Sequence, residues 1–188
     1  DTRVYPLPVN FNYDIETEVA IAHMISSADD VYMLMWGAQE RDPQNNIWNA
    51  LNTLAYPIDQ TWIGDLELVR YVIHPDLPRE CPLAQFETIH LIECHMSGET
   101  AVPGGAIAFD FVWESDRTPT QSYKIFVQVL NSAGVLVAQR DSYPQGGSDS
   151  TLAWSPQTQS SDHHAILLPA DLAPGVYTVI MGWYDASD

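Results

Sequence analysis

The spacing of apolar positions changes along the chain, and each change predicts an element. After Asp14, the residues Ile15, Val19, Ala22 and Ile25 recur at helical intervals, and Asp14 suits an N-cap. The helix so predicted ends in the polar run Ser26-Ser27-Ala28-Asp29-Asp30. Residues 31–36 (Val-Tyr-Met-Leu-Met-Trp) are apolar on both faces and are closed by Gly37, the signature of a buried strand. A loop rich in Asp, Asn and Gln over residues 39–46 leads to a short helix over 47–55, with Trp48, Leu51 and Leu54 on one side. Residues 66–74 (LELVRYVIH) favour a second strand through their β-branched and aromatic content. These elements make a small α/β segment.

A boundary follows, because Pro75, Pro78 and Pro82 fall in one short stretch that neither a helix nor a central strand tolerates. Beyond it the period becomes two. Strands are predicted over 87–95, 106–113, 123–130, 135–140, 165–168 and 176–184, with a seventh candidate at 151–154. Ile107, Phe109, Phe111 and Trp113 share one face, as do Tyr123, Ile125, Val127 and Val129, and Asn131-Ser132-Ala133-Gly134 reads as a hairpin turn. Successive strands without intervening helices predict a mainly β protein. The expected architecture is an antiparallel β-sandwich (immunoglobulin- or jelly-roll-like) over residues 81–188, preceded by the small α/β segment over residues 1–80.

Charge restricts the partners. Of the 188 residues, 7 are Lys or Arg and 25 are Asp or Glu, so the formal net charge is −18. Nucleic acid is excluded as a partner, since phosphate backbones are held by clustered basic residues. An anionic membrane surface is disfavoured for the same reason. No apolar run approaches the ~18 residues that span a bilayer, so direct membrane insertion of this chain is not expected. The sequence opens at Asp1 without a basic or apolar targeting segment in this numbering.

Cys81 and Cys94 are the two cysteines. A disulfide between them would close a small loop, for ~3 kcal/mol of stabilisation, and suits an exported, oxidising setting. Two independent buried thiols fit the spacing nearly as well, because sequence does not show that the Cβ atoms meet. A zinc site from Cys81, Cys94, His90 and His95 lacks the CxxC pair typical of four-coordinate sites.

Residues from Tyr123 onward carry a recognisable pattern: Tyr123, Phe126-Val127, Gly134, Leu136-Val137-Ala138-Gln139, Asp141 and Pro144. Trp154-Ser155-Pro156, Asp162, Leu168-Pro169, Pro174-Gly175, Tyr177, Gly182 and Tyr184-Asp185 follow. This pattern resembles the extracytoplasmic C-terminal region of large bacterial multi-spanning membrane proteins related to dolichyl-phosphate-mannose-type glycosyltransferases, as found in green non-sulfur bacteria. The likeness covers residues 123–188 well and 83–122 more loosely. The first 80 residues are similar to the linker that follows the last membrane helix in such proteins. Gln157 stands where the pattern has glycine. The resemblance implies an accessory domain and an extracytoplasmic location, tethered through the membrane part of a longer protein. It carries over no catalytic residue, since the catalytic acids of those transferases lie in their membrane domain.

Exposed aromatic rings in a row are how sandwich modules hold sugars. Trp154, in a predicted loop, is the candidate ligand-binding residue, with a place in the core as its alternative; Trp113 shares a face with Phe109 and Phe111 and belongs in the core. Asp110, Glu114 and Asp116 cluster around one strand end, and Asp141 and Asp149 around one loop. Paired carboxyls can hydrolyse glycosides when they flank a cleft, and loop aspartates, Asp141 and Asp162 among them, can cap amides or hold calcium. His163 and His164 are adjacent, so a strand would point them to opposite faces, against shared ligation. No G-x-S-x-G elbow occurs. The expectation is a non-catalytic extracytoplasmic accessory domain without cofactor or metal. It contacts neutral glycan or the membrane domain of its own parent protein. The alternatives are a carbohydrate-active enzyme using paired carboxylates and a purely structural cell-surface domain.

Overall fold

The computed structural model describes residues 2–186. The chain divides into two compact units, Asp1–His74 and Pro75–Asp188. The division falls at the start of the proline segment and not after it. Arg79–Glu80 pairs in the second unit's sheet, and Cys81 is bonded to Cys94, so the residues that separate the elements in sequence belong to the second unit.

The first unit holds α1 (Ile15–Ser27), β1 (Asp30–Met35), α2 (Ala38–Arg41), α3 (Asn46–Leu54), β2 (Tyr56–Ile63) and β3 (Leu66–Val72). Asp14 caps α1: its Oδ1 accepts from the Thr17 N–H at 3.0 Å. Hydrogen bonds from the Asn10 side chain and the Thr17 amide hold the Asp14 carboxyl below its ordinary pKa. The strands form an antiparallel sheet in the order β1-β3-β2. Strand β2 is absent from the sequence expectation. Pro57 and a register shift between Pro57 and Asp59 break its alternation, yet Gly64, at φ 63°, and Asp65 turn it directly into β3. One face of the sheet packs Val31, Val69 and Tyr71 against Ile21, Met24 and Ile25 of α1 and Leu51 of α3.

The second unit is an antiparallel β-sandwich. Strands β4 (Arg79–Glu80), β5 (Ala84–Phe86), β6 (Ile89–Met96), β7 (Ala106–Ser115) and β10 (Gln159–Leu167) make one sheet, ordered β10-β7-β6-β4 with β5 also on β6. Strands β8 (Tyr123–Leu130), β9 (Leu136–Ser142) and β11 (Thr178–Asp185) make the other, ordered β11-β8-β9. Both sheets contribute to one core: Ile89, Leu91, Phe109, Phe111, Trp113 and Ile166 from the first, Ile125, Val127 and Val129 from the second. The chain changes sheet at β7→β8, β9→β10 and β10→β11, the Greek-key order of immunoglobulin-type sandwiches. The Tyr177 hydroxyl donates to the Ala173 carbonyl four residues back, at the entry to β11, as a tyrosine corner does.

The seventh candidate strand, 151–154, is a 3₁₀ turn at Thr151–Ala153. Its Thr151 hydroxyl accepts from the Tyr123 N–H and donates to the Gln121 carbonyl, each at 3.1 Å, which fastens the turn to the start of β8. The loop Pro144–Gly147 is fastened to β10 in a similar way, through the Gln145 N–H donated to Asp162 Oδ1 at 2.7 Å.

Candidate functional site

Helices cover only one face of the β1-β3-β2 sheet. Strand alternation sends Tyr32 and Leu34 to the other face, where they stand opposite Arg70 and Leu68 of β3. Tyr32 is 60% exposed, and Trp36, just past the end of β1, is 83% exposed. Ile63 of β2, opposite Leu66, is exposed as well. The Arg70 guanidinium lies 5.7 Å from the Tyr32 ring centroid and 3.1 Å from Asp30 Oδ1. Tyr32 and Trp36 are four residues apart, on the order of 13 Å along an extended backbone. Tyr32 and Leu34 thus line a solvent-facing strip on this face, with the exposed Trp36 just past its end. The signal lay in residues 31–36, but a run apolar on both faces reads as a strand buried on both sides, whereas this one is buried on one.

Trp154, the sequence candidate for ligand contact, lies elsewhere and is 3% exposed. Its ring packs in the sandwich core, edge-on to Trp183. The expectation of a presented ring is therefore corrected. The turn at Thr151–Ala153 directs the indole inward, where it fills the end of the core. Cys81 and Cys94 form a disulfide with Cα atoms 5.2 Å apart, and the Cys81 N–H also donates to the Cys94 carbonyl at 3.0 Å. With both thiols so used, neither is available to the zinc set considered with His90 and His95.

The carboxylates disperse to separate partners. Asp116 pairs with His90 Nε2 at 2.9 Å, Asp141 accepts from the Tyr184 hydroxyl at 3.1 Å, and Asp149 accepts from Ser160. Asp110 and Glu114 lie on the same outer face of β7, four residues and roughly 13 Å of strand apart. His163 and His164 do face opposite ways, His163 outward and His164 fully into the core.

His164 belongs to a buried polar cluster that sequence reasoning missed. Its Nδ1 is 3.3 Å from Ser142 Oγ on β9 and 4.0 Å from Asp162 Oδ2. Burial pushes the Asp162 carboxyl up to about 6, partly opposed by the Gln145 N–H and by Arg140. Burial, with the Arg140 charge adding to it, lowers the His164 pKa well below the ordinary imidazole value. His164 is consequently neutral at pH 7, so its approach to Asp162 is not an ion pair. Ser, His and Asp meet here, but both oxygens address the same ring nitrogen, whereas nucleophile activation needs them on opposite nitrogens. The cluster ties β9 of one sheet to β10 of the other.

No protein-family model matches the chain, and no curated protein matches it. Among the described residues, no helix is long and apolar enough to cross a membrane.

Proposed function

We propose that the chain is a non-catalytic extracytoplasmic accessory domain of a membrane glycosyltransferase-like protein, and that it contacts neutral glycan through the open face of the β1-β3-β2 sheet. The observation that carries the reading is the Tyr32–Leu34–Trp36 strip. Flat apolar faces of pyranose rings stack on such rings, and exposed aromatic side chains at this density are otherwise costly to leave in water. The charge of −18 favours a neutral ligand over an anionic polymer. The disulfide suits an oxidising location.

Two-dimensional NMR titration with neutral oligosaccharides tests the proposal. Shifts should cluster on residues 30–36 and 66–70, with millimolar-to-micromolar affinity, roughly 4–8 kcal/mol. Trp36→Ala should abolish them while leaving the rest of the spectrum unchanged, since Trp36 touches solvent over most of its surface. No response to any neutral sugar at millimolar concentration would leave the strip without a glycan role and favour a structural cell-surface domain.

A further inference from the structure

The outer face of the β10-β7-β6 sheet carries a row of chemistry that the glycan reading does not use. In register, His95 of β6 stands opposite Asp110 of β7, which stands opposite His163 of β10. Glu93 is two residues before His95, and the register shift between Leu91 and Glu93 restores it to the same outer face. His163 Nε2 lies 3.4 Å from Asp110 Oδ1, and His95 Nδ1 lies 3.5 Å from Glu93 Oε1. All four groups line one depression of about 120 Å³, whose floor is Val112 and Phe111 and whose rim includes Ser161.

We propose that Glu93, His95, Asp110 and His163 bind one divalent transition-metal ion of the Zn²⁺ type. Neighbouring strands are ~4.8 Å apart, so the two histidines on the outer strands are about 10 Å apart at their backbones with Asp110 midway. His163 already leans on Asp110; with the His95 imidazole turned to the middle strand as well, two nitrogen donors and one carboxylate oxygen would converge there, with Glu93 in reach as a fourth. In the present side-chain arrangement no three donors surround one point among the described residues. Closure requires the His95 ring to turn from Glu93 toward Asp110, and both imidazoles are partly exposed, which leaves them room to do so. Two imidazoles with carboxylates suit borderline cations, whereas Ca²⁺ takes six to eight oxygens. The four groups come from three strands of a rigid sheet. Only tertiary pairing brings them together.

Isothermal titration with Zn²⁺ alone, repeated with Ca²⁺, tests the site in the intact protein near neutral pH. One equivalent of Zn²⁺ should bind saturably, with Ca²⁺ giving no comparable isotherm, and Co²⁺ should develop the visible absorption of a nitrogen- and oxygen-ligated centre. His95→Ala and His163→Ala, each on a different strand and each on the outer face, should weaken Zn²⁺ by about tenfold or more. His23→Ala on α1 should leave it unchanged. Urea midpoints equal to the parent's identify the histidine variants as folded, and Asp110→Asn provides a third, nearly isosteric variant. The proposal is overturned by three results: absence of saturable binding, equal response to Ca²⁺, or Zn²⁺ affinity indifferent to both sheet histidines. The last two would mark general attraction of cations to an acidic surface.

Discussion

The Trp154 ring stands edge-on to the ring of Trp183, 5.9 Å between centroids, and Trp183 in turn meets Trp113 edge-on at 4.8 Å. Three indoles from a turn, β11 and β7 thereby close one end of the sandwich core. Edge-to-face contacts of this kind add to the area term of burial. Trp154→Ala should lower unfolding free energy by about 3–5 kcal/mol, the cost of emptying an aromatic site in a packed core. Trp36→Ala, at an exposed position, should change it by no more than ~0.5 kcal/mol. Urea unfolding of both variants separates the two roles. Equal, small losses would remove Trp154 from the core.

Asp162 and His164 give the sandwich two opposite pH dependences. Asp162 titrates at about 6 in the fold and at 3.8 unfolded, so folding takes up a proton between these values. Its stabilisation is complete below pH 3.8 and is lost as pH rises through 6, a change on the order of 3 kcal/mol. His164 has a depressed pKa, so its contribution is present above 6.5 and is lost as pH falls. Asp162→Asn should therefore make the protein more acid-sensitive than the parent, and His164→Asn less so. Urea midpoints measured from about pH 4 to 8 should diverge in these two directions. Curves parallel to the parent's would contradict the assignment.

The disulfide between Cys81 and Cys94 joins the Arg79–Glu80 edge to β6. Non-reduced mass spectrometry of exported protein should show a two-proton deficit. Replacing both cysteines by serine should cost ~3 kcal/mol through the freed unfolded chain, with a further loss because Cys94 is buried in the core. A double variant as stable as the parent would show that the bond does not hold this edge.

At the other sheet, Tyr177→Phe removes the hydroxyl that donates to Ala173 and should cost about 1 kcal/mol with the ring packing retained. Gly182→Ala tests a closer contact. A Cβ there would sit 2.6 Å from Phe126 Cζ, so the Phe126 ring on the paired strand must move. A loss of about 1–3 kcal/mol is expected. Thermal melts of the two variants that coincide with the parent's would refute both contacts.

Much of the fold is legible in residue order because alternation and capping are local. Asp14 before Ile15, the alternation of Phe109, Phe111 and Trp113, and the Asn131–Gly134 turn each specify an element through neighbours a few positions away. Strand β10 was legible only in its last residues. Ser160, Asp162 and His164 face the interior while Ser161 and His163 face solvent, so polar residues occupy both faces and the apolar alternation vanishes. Those buried polar side chains are tolerated because Asp149, Gln145 and Ser142 supply partners from other segments.

The candidate sites divide along the same line. The sequence by itself placed a strand over 31–36 and so set Tyr32 and Leu34 on one face of it, but a run apolar on both faces reads as buried on both; the packing of α1 and α3 against the opposite face left this one open. Residue order left Trp154 between a loop and a candidate strand over 151–154; the 3₁₀ turn there and its direction come from Thr151 bonding to Gln121 and Tyr123, some thirty residues away in the chain. The sequence also presented Cys81 and Cys94 as a possible pair, and the pairing of the Arg79–Glu80 strand with β6 brought their Cα atoms within bonding distance. The row His95, Asp110 and His163 exists only through strand register. Local order sets what each side chain is and which way it points along its own strand; long-range hydrogen bonding between strands sets what it stands beside.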